Sequence, residues 1–254
     1  MKHIKTFEQS KNNSLELIYA VYNNDLQKVK ELLKNPNIDV NSQDDDGETV
    51  LIYASRYNYL EIAKELLKHP NIDVNIQNKY EDNALIKAAS YGHLKIVKEL
   101  LKHPNIDVNI KNYVGESALM MVSYRGYLEI AKELLKHPNI DVNIQDNIGD
   151  TTLIKVSYKD QLDIVKELLK HPDIDVNIQN KNEHTVLILA SIYNNLEIVT
   201  EILKHPNIDV NIKDDVGRYF LDYLNDKNKA YIIKSYPEIY KKYLFNKKID
   251  EYNL

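Results

Sequence analysis

The chain has no cysteine and no tryptophan among its 254 residues. Without cysteine it forms no disulfide, thiolate nucleophile or thiolate zinc site, a composition that fits a reducing compartment. No apolar run approaches the roughly 18 residues of a membrane span, and the N-terminal stretch MKHIKTFEQS lacks the apolar region of a cleavable signal. These absences predict a cytoplasmic protein without a membrane segment, and they leave export by another route open.

The sequence also lacks an excess of basic residues, since its formal net charge is −5. A protein that binds nucleic acid favours a basic face, so nucleic acid is not the expected partner. None of the motifs G-x-S-x-G, H-E-x-x-H and G-x-x-x-x-G-K-[ST] is present. We therefore expect no enzyme activity, no catalytic residue, no metal site and no cofactor.

What the chain contains instead is one segment that occurs six times. One copy, LLKHPNIDVN, covers residues 100–109, and its proline recurs every 34 residues. Self-similarity at a period of this length is typical of stacked repeats, in which each unit needs neighbours to bury its apolar faces. The six prolines are Pro36, Pro70, Pro104, Pro138, Pro172 and Pro206.

The pattern within each unit predicts two short helices joined by a turn. In the second unit, Thr49 can cap the first helix, and the apolar stripe of residues 60–67 predicts a second helix that ends before Pro70. The corresponding caps are Asn83, Ser117, Thr151 and Thr185. The turn between the helices requires a residue that tolerates positive φ, and only Gly, Asn and Asp occur there: Asn24, Asn58, Gly92, Gly126, Asp160 and Asn194.

These units resemble ankyrin repeats, whose unit is a β-turn plus two helices with the signature T-P-L-H-x-A and a usual length of about 33 residues. Here the signature stands as TVLIYA at residues 49–54, and Val74-Asn75 matches the VN of the family hairpin. The signature proline and histidine are replaced, so the polar link that this histidine provides between repeats is missing. PNID stands in place of GAD, which adds one residue to each unit. A 34-residue period also suits tetratricopeptide repeats, but their Trp, Leu-Gly and Tyr pattern is absent.

The resemblance covers residues 14–226 and implies an all-α repeat solenoid, with ankyrin helix–turn–helix units and β-hairpin-like loops in a curved stack. We divide the chain into a polar lead-in at residues 1–13, six repeats at 14–213, and a partial seventh repeat with a C-terminal helical cap at 214–254. Terminal repeats usually depart from the pattern, and Pro237 is predicted to be the first position of a new helix that continues to Phe245.

Clusters of histidine and aspartate suggest metal binding, but the repeat geometry argues against it. Stacked helices lie about 8–10 Å apart, whereas two ligands of one zinc ion lie at most about 4 Å apart, so equivalent histidines cannot share a metal. Adjacent acids in turns, such as Asp44–Asp46 and the pair Asp214 and Asp215, are expected to be solvated and not to form a calcium loop. The histidines at one repeat position are His69, His103, His137, His171 and His205.

The tyrosines, nineteen in all, are the most informative side chains for function. Ankyrin partners usually dock on an inner surface built from the hairpin tips and the exposed side of the first helix. The resemblance places most tyrosines of the full repeats there, interleaved with Arg and Lys, and Tyr and Arg are enriched at binding hot spots. The predicted partner-binding residues are Arg56, Tyr57, Tyr80, Tyr91, Tyr113, Tyr124, Arg125, Tyr158, Lys159 and Tyr193, with Tyr22, Val114 and Ile148 on the same strip.

The resemblance therefore implies a non-catalytic scaffold, monomeric on its own, that binds another protein through this strip. One alternative is that the strip self-associates, which would give a homo-oligomer with a structural role. Another alternative is that the tyrosines are scattered by chance, because the genome is rich in tyrosine codons. Tyr19 and Tyr53 favour this alternative, since they occupy a position that is less often in contact with partners. The sequence does not identify the partner.

Overall fold

The structure is a computed structural model that describes residues 14–159 and 161–252. The predicted lead-in and Asp160 lie outside the described residues. Within them the chain is helical and forms no strand, so the predicted all-α class is confirmed. The described helices are α1 (14–22), α2 (Leu26–Leu32), α3 (Val50–Arg56), α4 (Leu60–Leu67), α5 (Ala84–Ser90), α6 (Leu94–Leu100), α7 (Ala118–Arg125), α8 (Leu128–Leu135), α9 (Thr152–Ser157), α10 (Leu162–Leu168), α11 (Val186–Ile192), α12 (Leu196–Ile202), α13 (Phe220–Tyr223), α14 (Asp226–Ser235) and α15 (Pro237–Tyr252).

The chain divides into two compact units, Met1–Ile140 and Asp141–Leu254. In the first unit, α3, α5 and α7 pack side by side in one layer, while α2, α4, α6 and α8 form a second layer. In the second unit, α9, α11 and α13 form one layer, α10 packs on α12, and α14 packs on α15. Both units therefore show the repeated packing of helix pairs that the 34-residue period predicts.

The first helix of each repeat begins where its sequence supplies a side-chain cap. The hydroxyl of Thr49 accepts a hydrogen bond from the backbone N–H of Ile52, and the carboxamide of Asn83 accepts one from Ile86. These bonds satisfy a backbone donor that has no partner within the helix. All five predicted caps are confirmed in this role: Thr49, Asn83, Ser117, Thr151 and Thr185.

The turn between the two helices adopts positive φ, as its residue types predict. Asn58 has φ 61° and Gly126 has φ 79°. The same conformation occurs at Asn24, Gly92 and Asn194. The chain reverses here over very few residues, and it thereby brings the second helix back against the first.

The loops between repeats are hairpin-like without forming strands. In two of them an isolated antiparallel bridge is present, Lys111 with Ser117 and Gln145 with Thr151. An Asx side chain closes each turn. Asn112, for example, accepts the backbone N–H groups of Val114 and Glu116 through its Oδ1 atom. This side chain holds the tip of the loop in a fixed position relative to the following helix.

The C-terminal segment departs from the repeat pattern after α13. Helix α15 begins at Pro237, which confirms that prediction, but it continues past Phe245 to Tyr252. Proline is suited to the first helical position because its missing N–H would have no partner there. The division of the chain into lead-in, six repeats and cap stays a prediction. None of the described helices is long and apolar enough to cross a membrane.

Candidate partner-binding surface

In the first unit, the predicted site tyrosines lie at the C-terminal ends of α3, α5 and α7 and on the turns that precede α5 and α7. We call this surface the unit-1 strip. Tyr91 is 55% exposed and Tyr113 is 60% exposed, although both are large aromatic side chains. Tyr57, Tyr80 and Tyr124 are also exposed. The structure therefore places these five residues in solvent and outside the core.

The two turn tyrosines of the unit-1 strip contact each other. The ring centroids of Tyr80 and Tyr113 are 6.2 Å apart with an interplanar angle of 58°. The backbone N–H of Tyr113 donates a 3.1 Å hydrogen bond to the carbonyl oxygen of Tyr80. Neighbouring turns are thus tied through both backbone and side chain, and the two rings form one continuous aromatic surface.

A second aromatic group lies at the junction of α1 and α3. The ring centroid of Tyr22 is 6.0 Å from that of Tyr53 and 6.3 Å from that of Tyr57. Tyr57 in turn stacks on Tyr59 at 5.8 Å. Tyr53 and Tyr59 were not among the predicted site residues. Tyr53 joins the surface through Tyr22 of the preceding repeat, and Tyr59 joins it through Tyr57 of its own repeat. The available sequence signal for Tyr53 was Tyr22, which the resemblance had already placed on the strip.

Arg56 was predicted to face the partner, but it bonds within the chain. Its guanidinium forms an ion pair and hydrogen bond with the carboxylate of Glu48, whose side chain is only 3% exposed. Glu48 also accepts a 2.9 Å hydrogen bond from the side-chain amide of Asn78. Burial raises the pKa of the Glu48 carboxyl, and the nearby Arg56 charge opposes this rise only in part. The Glu48–Arg56 pair therefore joins a turn, its own helix and the next repeat.

Other cations on the first helices are neutralised in the same way. In the first unit, Lys87 lies 2.6 Å from the carboxylate of Asp82, with both side chains largely buried. In the second unit, Lys155 lies 2.7 Å from Asp146. The side chains of Arg125 and Lys159 are exposed. Among the predicted residues, the alternation of tyrosine with solvent-exposed positive charge is thus reduced to these two positions.

Tyr91 is held by the residue that opens the next helix. Its ring stacks on the imidazole of His93 with centroids 6.0 Å apart and an interplanar angle of 13°. The Nε2 atom of His93 lies 3.0 Å from the carbonyl oxygen of Arg56 in the preceding repeat. An exposed ring that is stacked in this way loses little further freedom when a partner binds.

The second unit carries the remaining predicted residues. The ring centroids of Tyr158 and Tyr193 are 5.7 Å apart. Tyr193 is 59% exposed, whereas Tyr158 is half-buried and its hydroxyl donates a 3.1 Å hydrogen bond to Asp150. Lys159 is exposed beside Tyr158. These three residues form a smaller aromatic and basic surface on the unit.

One group in the second unit has the composition of a metal site. Ligand atoms of His184, Asp214 and Asp215 all lie within 4.8 Å of one another. The expectation that Asp214 is solvated is wrong, since it is 3% exposed. Its Oδ1 atom accepts the backbone N–H groups of Val216 and Arg218, and its Oδ2 atom accepts the hydroxyl of Tyr223.

The repeat alignment explains this group without a metal. His184 occupies the position held by Glu48 and Asp150 in other repeats, and both of those carboxylates bond to the turn Asx of the next repeat. The Nε2 atom of His184 lies 3.9 Å from the carboxylate of Asp214, which is the corresponding residue. The group is therefore a contact between repeats. The five equivalent histidines make a local contact instead. The Nδ1 atom of each accepts a hydrogen bond from the backbone N–H of the residue two positions later.

Comparison with known proteins agrees with this geometry. Residues 17–112 and 119–214 match the family model described as ankyrin repeats (3 copies), and the chain belongs to the ankyrin repeat family. No curated protein sequence matches the chain. Members of this family are generally scaffolds for protein–protein interaction and are typically non-catalytic.

Two solved structures illustrate the likeness. The crystal structure of EF0377, an ankyrin repeat protein, is similar with a TM-score of 0.70 and 29% sequence identity, covering 76% of this chain and 98% of that chain. The ankyrin repeat domain of Bcl-3, described as a unique member of the IkappaB protein family, has a TM-score of 0.79 and 20% identity, covering 86% of this chain and 97% of that chain. The likeness to Bcl-3 concerns the fold alone.

Proposed function

We propose that this chain is a protein-binding scaffold that recognises its partner through the exposed turn and first-helix residues of its repeats. The residues we assign to this surface are Arg56, Tyr57, Tyr80, Tyr91, Tyr113, Tyr124, Arg125, Tyr158, Lys159 and Tyr193. One observation carries the proposal: within each unit, large tyrosine rings are exposed along the layer of first helices while the apolar residues of the same helices are buried.

Exposed tyrosines favour binding because they offer contact energy to a partner and lose little conformational entropy. An exposed ring offers a large apolar area together with a hydroxyl that can bond to a partner. Several of these rings already contact a neighbour, as Tyr80 contacts Tyr113 and Tyr91 contacts His93. Their rotation is restricted before the partner arrives, so less entropy is lost on binding. Arg56 contributes by holding the turn through Glu48, and it does not offer its charge to the partner.

Site-specific cross-linking tests the proposal. A photoreactive phenylalanine analogue in place of Tyr91 should capture a partner from an extract of the native cell. The same analogue in place of Tyr231, which is exposed on α14, serves as the matched control. Capture at position 91 and not at 231 is expected, and equal capture at both positions would contradict the assignment.

Replacing two exposed tyrosines with alanine distinguishes a role in partner binding from a role in stabilising the fold. The double variant Tyr91→Ala/Tyr124→Ala should weaken capture of the partner and leave the melting temperature nearly unchanged, because both rings are exposed. Tyr231→Ala/Phe245→Ala removes two other exposed aromatic side chains, on α14 and α15, and should change neither property. A large drop in melting temperature for the first variant would show that the two rings stabilise the fold.

The same exposed rings could instead meet those of a second copy of the chain. Self-association would give a homo-oligomer in which the turn and first-helix surfaces face each other. Light scattering over a range of concentrations distinguishes the two functions. A monomer at every concentration excludes self-association, whereas an oligomer that the double tyrosine variant dissociates would support it.

A further inference from the structure

We propose that the partner offers a basic segment, and that this segment binds where the rings of Tyr22, Tyr53 and Tyr57 adjoin the acidic turn Asp44–Asp46. An arginine or lysine side chain would lie against the rings and pair with the carboxylates of the turn. The inference rests on the proposed function and specifies the chemistry of the partner at one end of the unit-1 strip. It uses residues of the first unit alone.

The three rings form a compact cluster with two orientations. Tyr53 on α3 and Tyr57 at its C-terminal cap stand one helical turn apart, and their rings are nearly parallel, with an interplanar angle of 10° and a centroid distance of 6.2 Å. Tyr22 on α1 stands almost perpendicular to both, at 85° and 82°. Tyr22 and Tyr57 are exposed, and Tyr53 is half-buried. A ligand from solvent therefore meets ring faces as well as ring edges.

One hydrogen bond ties the cluster to the acidic turn. The hydroxyl of Tyr53 donates to the carboxylate of Asp44 at 2.6 Å. Burial and this carboxylate together raise the pKa of the Tyr53 hydroxyl, which keeps the phenol protonated as a donor. Asp44 also closes the turn by accepting the backbone N–H groups of Asp46 and Glu48. The ring and the turn are thus held in a fixed relationship.

The remaining carboxylates of this turn are available. Asp45 and Asp46 are exposed, and neither forms an ion pair with any residue that the structure describes. The nearby cation Arg56 is already bonded to Glu48, and Lys87 of the next repeat is bonded to Asp82. No ion pair with a described residue therefore balances the negative charge of Asp45 and Asp46, although Lys79 lies in the adjoining turn, where its backbone N–H donates a 3.0 Å hydrogen bond to the Asp46 carbonyl oxygen. A positively charged partner would balance it, and an acidic or phosphorylated one would be repelled.

Another tyrosine of the unit-1 strip already has a lysine beside its ring. The ammonium group of Lys87 lies 5.8 Å from the ring centroid of Tyr80, within the range of a cation–π contact. Among the described residues no lysine or arginine occupies such a position over Tyr22, Tyr53 or Tyr57. The faces of these three rings therefore carry no cation of the described chain, and the Arg56 guanidinium, which interacts with the Tyr57 side chain, is not seated over its ring. Arginine suits the site best, since its planar group stacks on aromatic faces and pairs with carboxylates.

Fluorescence anisotropy with synthetic peptides tests this inference on the full chain. The probes are a short fluorescein-labelled arginine-rich peptide, a lysine-rich peptide and a glutamate-rich peptide of the same length. The arginine-rich peptide is expected to bind most tightly, and the glutamate-rich peptide is expected not to bind. Binding of the arginine-rich peptide should weaken as salt is added, because exposed charges are screened.

Matched variants show where the peptide binds. Asp45→Asn/Asp46→Asn and Tyr22→Leu/Tyr57→Leu should each weaken binding of the arginine-rich peptide by about three- to tenfold, as expected for exposed ion pairs and cation–π contacts. Glu31→Gln/Glu61→Gln removes two exposed charges from α2 and α4 and should leave the affinity unchanged. An equal loss in this control would overturn the inference, since binding would then follow net charge alone.

The failure of this inference is distinguishable from that of the proposed function. If position 91 captures a partner but neither basic peptide binds, the surface is a docking site for a partner of other chemistry and this inference is wrong. If the basic peptides bind in the manner described but position 91 captures nothing, the site for a basic segment at Asp44–Asp46 is supported and the proposed partner-binding surface as a whole is wrong. Circular dichroism of each variant verifies that it is folded.

Discussion

The side-chain amide nitrogen of Asn75 lies 2.7 Å from the backbone carbonyl oxygen of Asn105, one repeat further along the chain. The oxygen of the same amide accepts a 2.9 Å hydrogen bond from the backbone N–H of Asp107. Asparagine is suited to this position because a carboxamide both donates and accepts, whereas a carboxylate only accepts. The same pair of bonds recurs at Asn41, Asn143 and Asn177.

Replacing this donor should destabilise the first unit. In Asn75→Asp the carboxylate would face the carbonyl oxygen of Asn105, and the free energy of unfolding should fall by about 1–3 kcal/mol. Urea denaturation at neutral pH measures the change. Asn71→Asp makes the same substitution on an exposed side chain and should alter stability by less than about 0.5 kcal/mol. Equal losses in both variants would show that added charge is responsible and not the lost bond.

The Glu48–Arg56 pair gives a second prediction, because removing one partner leaves a buried charge. Arg56→Met should lower the free energy of unfolding by roughly 2–4 kcal/mol at neutral pH. The double variant Glu48→Gln/Arg56→Met removes that charge and should recover most of the loss. If the single and double variants were equally unstable, packing of the arginine stem and not the charge would be responsible.

The pH dependence of Arg56→Met has a definite sign. Burial holds the pKa of Glu48 above its ordinary value of 4.5 in the folded state, and loss of the nearby cation raises it further. The folded variant then keeps a proton that the unfolded chain releases. Its stability should be fully present below pH 4.5 and fall as the pH rises through the folded pKa. Urea denaturation at several pH values measures this, and the double variant should show no such fall.

Much of the fold was predictable because its signals are local and repeated. The cap at Thr49 and the turn at Asn58 follow from residue chemistry within a few positions, and the fixed period multiplies both signals. The exposure of Tyr57 and Tyr91 was predictable for the same reason, since family resemblance places those positions on the open side of the first helix. These predictions required no knowledge of contacts between repeats.

What the sequence did not reveal depends on which polar side chains bond to each other, both within a repeat and between repeats. Arg56 was expected to be available, but Glu48 lies eight residues earlier in a turn, and its burial is completed by Asn78 of the next repeat. Asp214 was expected to be solvated, but the Tyr223 hydroxyl and the backbone of its own turn enclose it. Each of these side chains is polar, and only the folded arrangement determines whether its partner is water or protein.

Two turn glycines in the second unit provide a matched test of close packing. A Cβ atom on Gly149 would lie 2.8 Å from the backbone nitrogen of Lys181, whereas one on Gly217 would meet nothing within 4 Å. Both residues have positive φ, 84° and 76°. Gly217→Ala should therefore lower the free energy of unfolding by about 1–2 kcal/mol, because alanine is strained at positive φ. Gly149→Ala should lower it by about 1–3 kcal/mol more, because of the added steric clash. Chemical denaturation measures both, and equal losses would contradict the close approach of the two turns.

Two carboxylates link helix α15 to the rest of the second unit. Asp250 lies 2.5 Å from the ammonium group of Lys213 and accepts the Tyr219 hydroxyl at 2.9 Å. Asp222 accepts the Tyr243 hydroxyl at 2.7 Å. Lys213 and Tyr219 hold the pKa of the Asp250 carboxyl below its ordinary value. Burial raises the pKa of Asp222, but the hydroxyl of Tyr243 and the backbone N–H of Tyr219 outweigh it and lower that pKa overall.

Acid should therefore release α15 before it unfolds the rest of the second unit. Because these pKa values are depressed in the folded state, the stability they provide is present above the ordinary value of 3.8 and is lost as the pH falls below it through the folded pKa. Hydrogen exchange of α15, compared with α11 at each pH, measures the release. Asp222→Asn should loosen α15 already at neutral pH, because Tyr243 loses its charged acceptor, whereas Asp226→Asn, which changes an exposed acid of α14, should not. If α15 and α11 lost protection together in acid, the carboxylates would stabilise the unit as a whole and would not act as the attachment of its last helix.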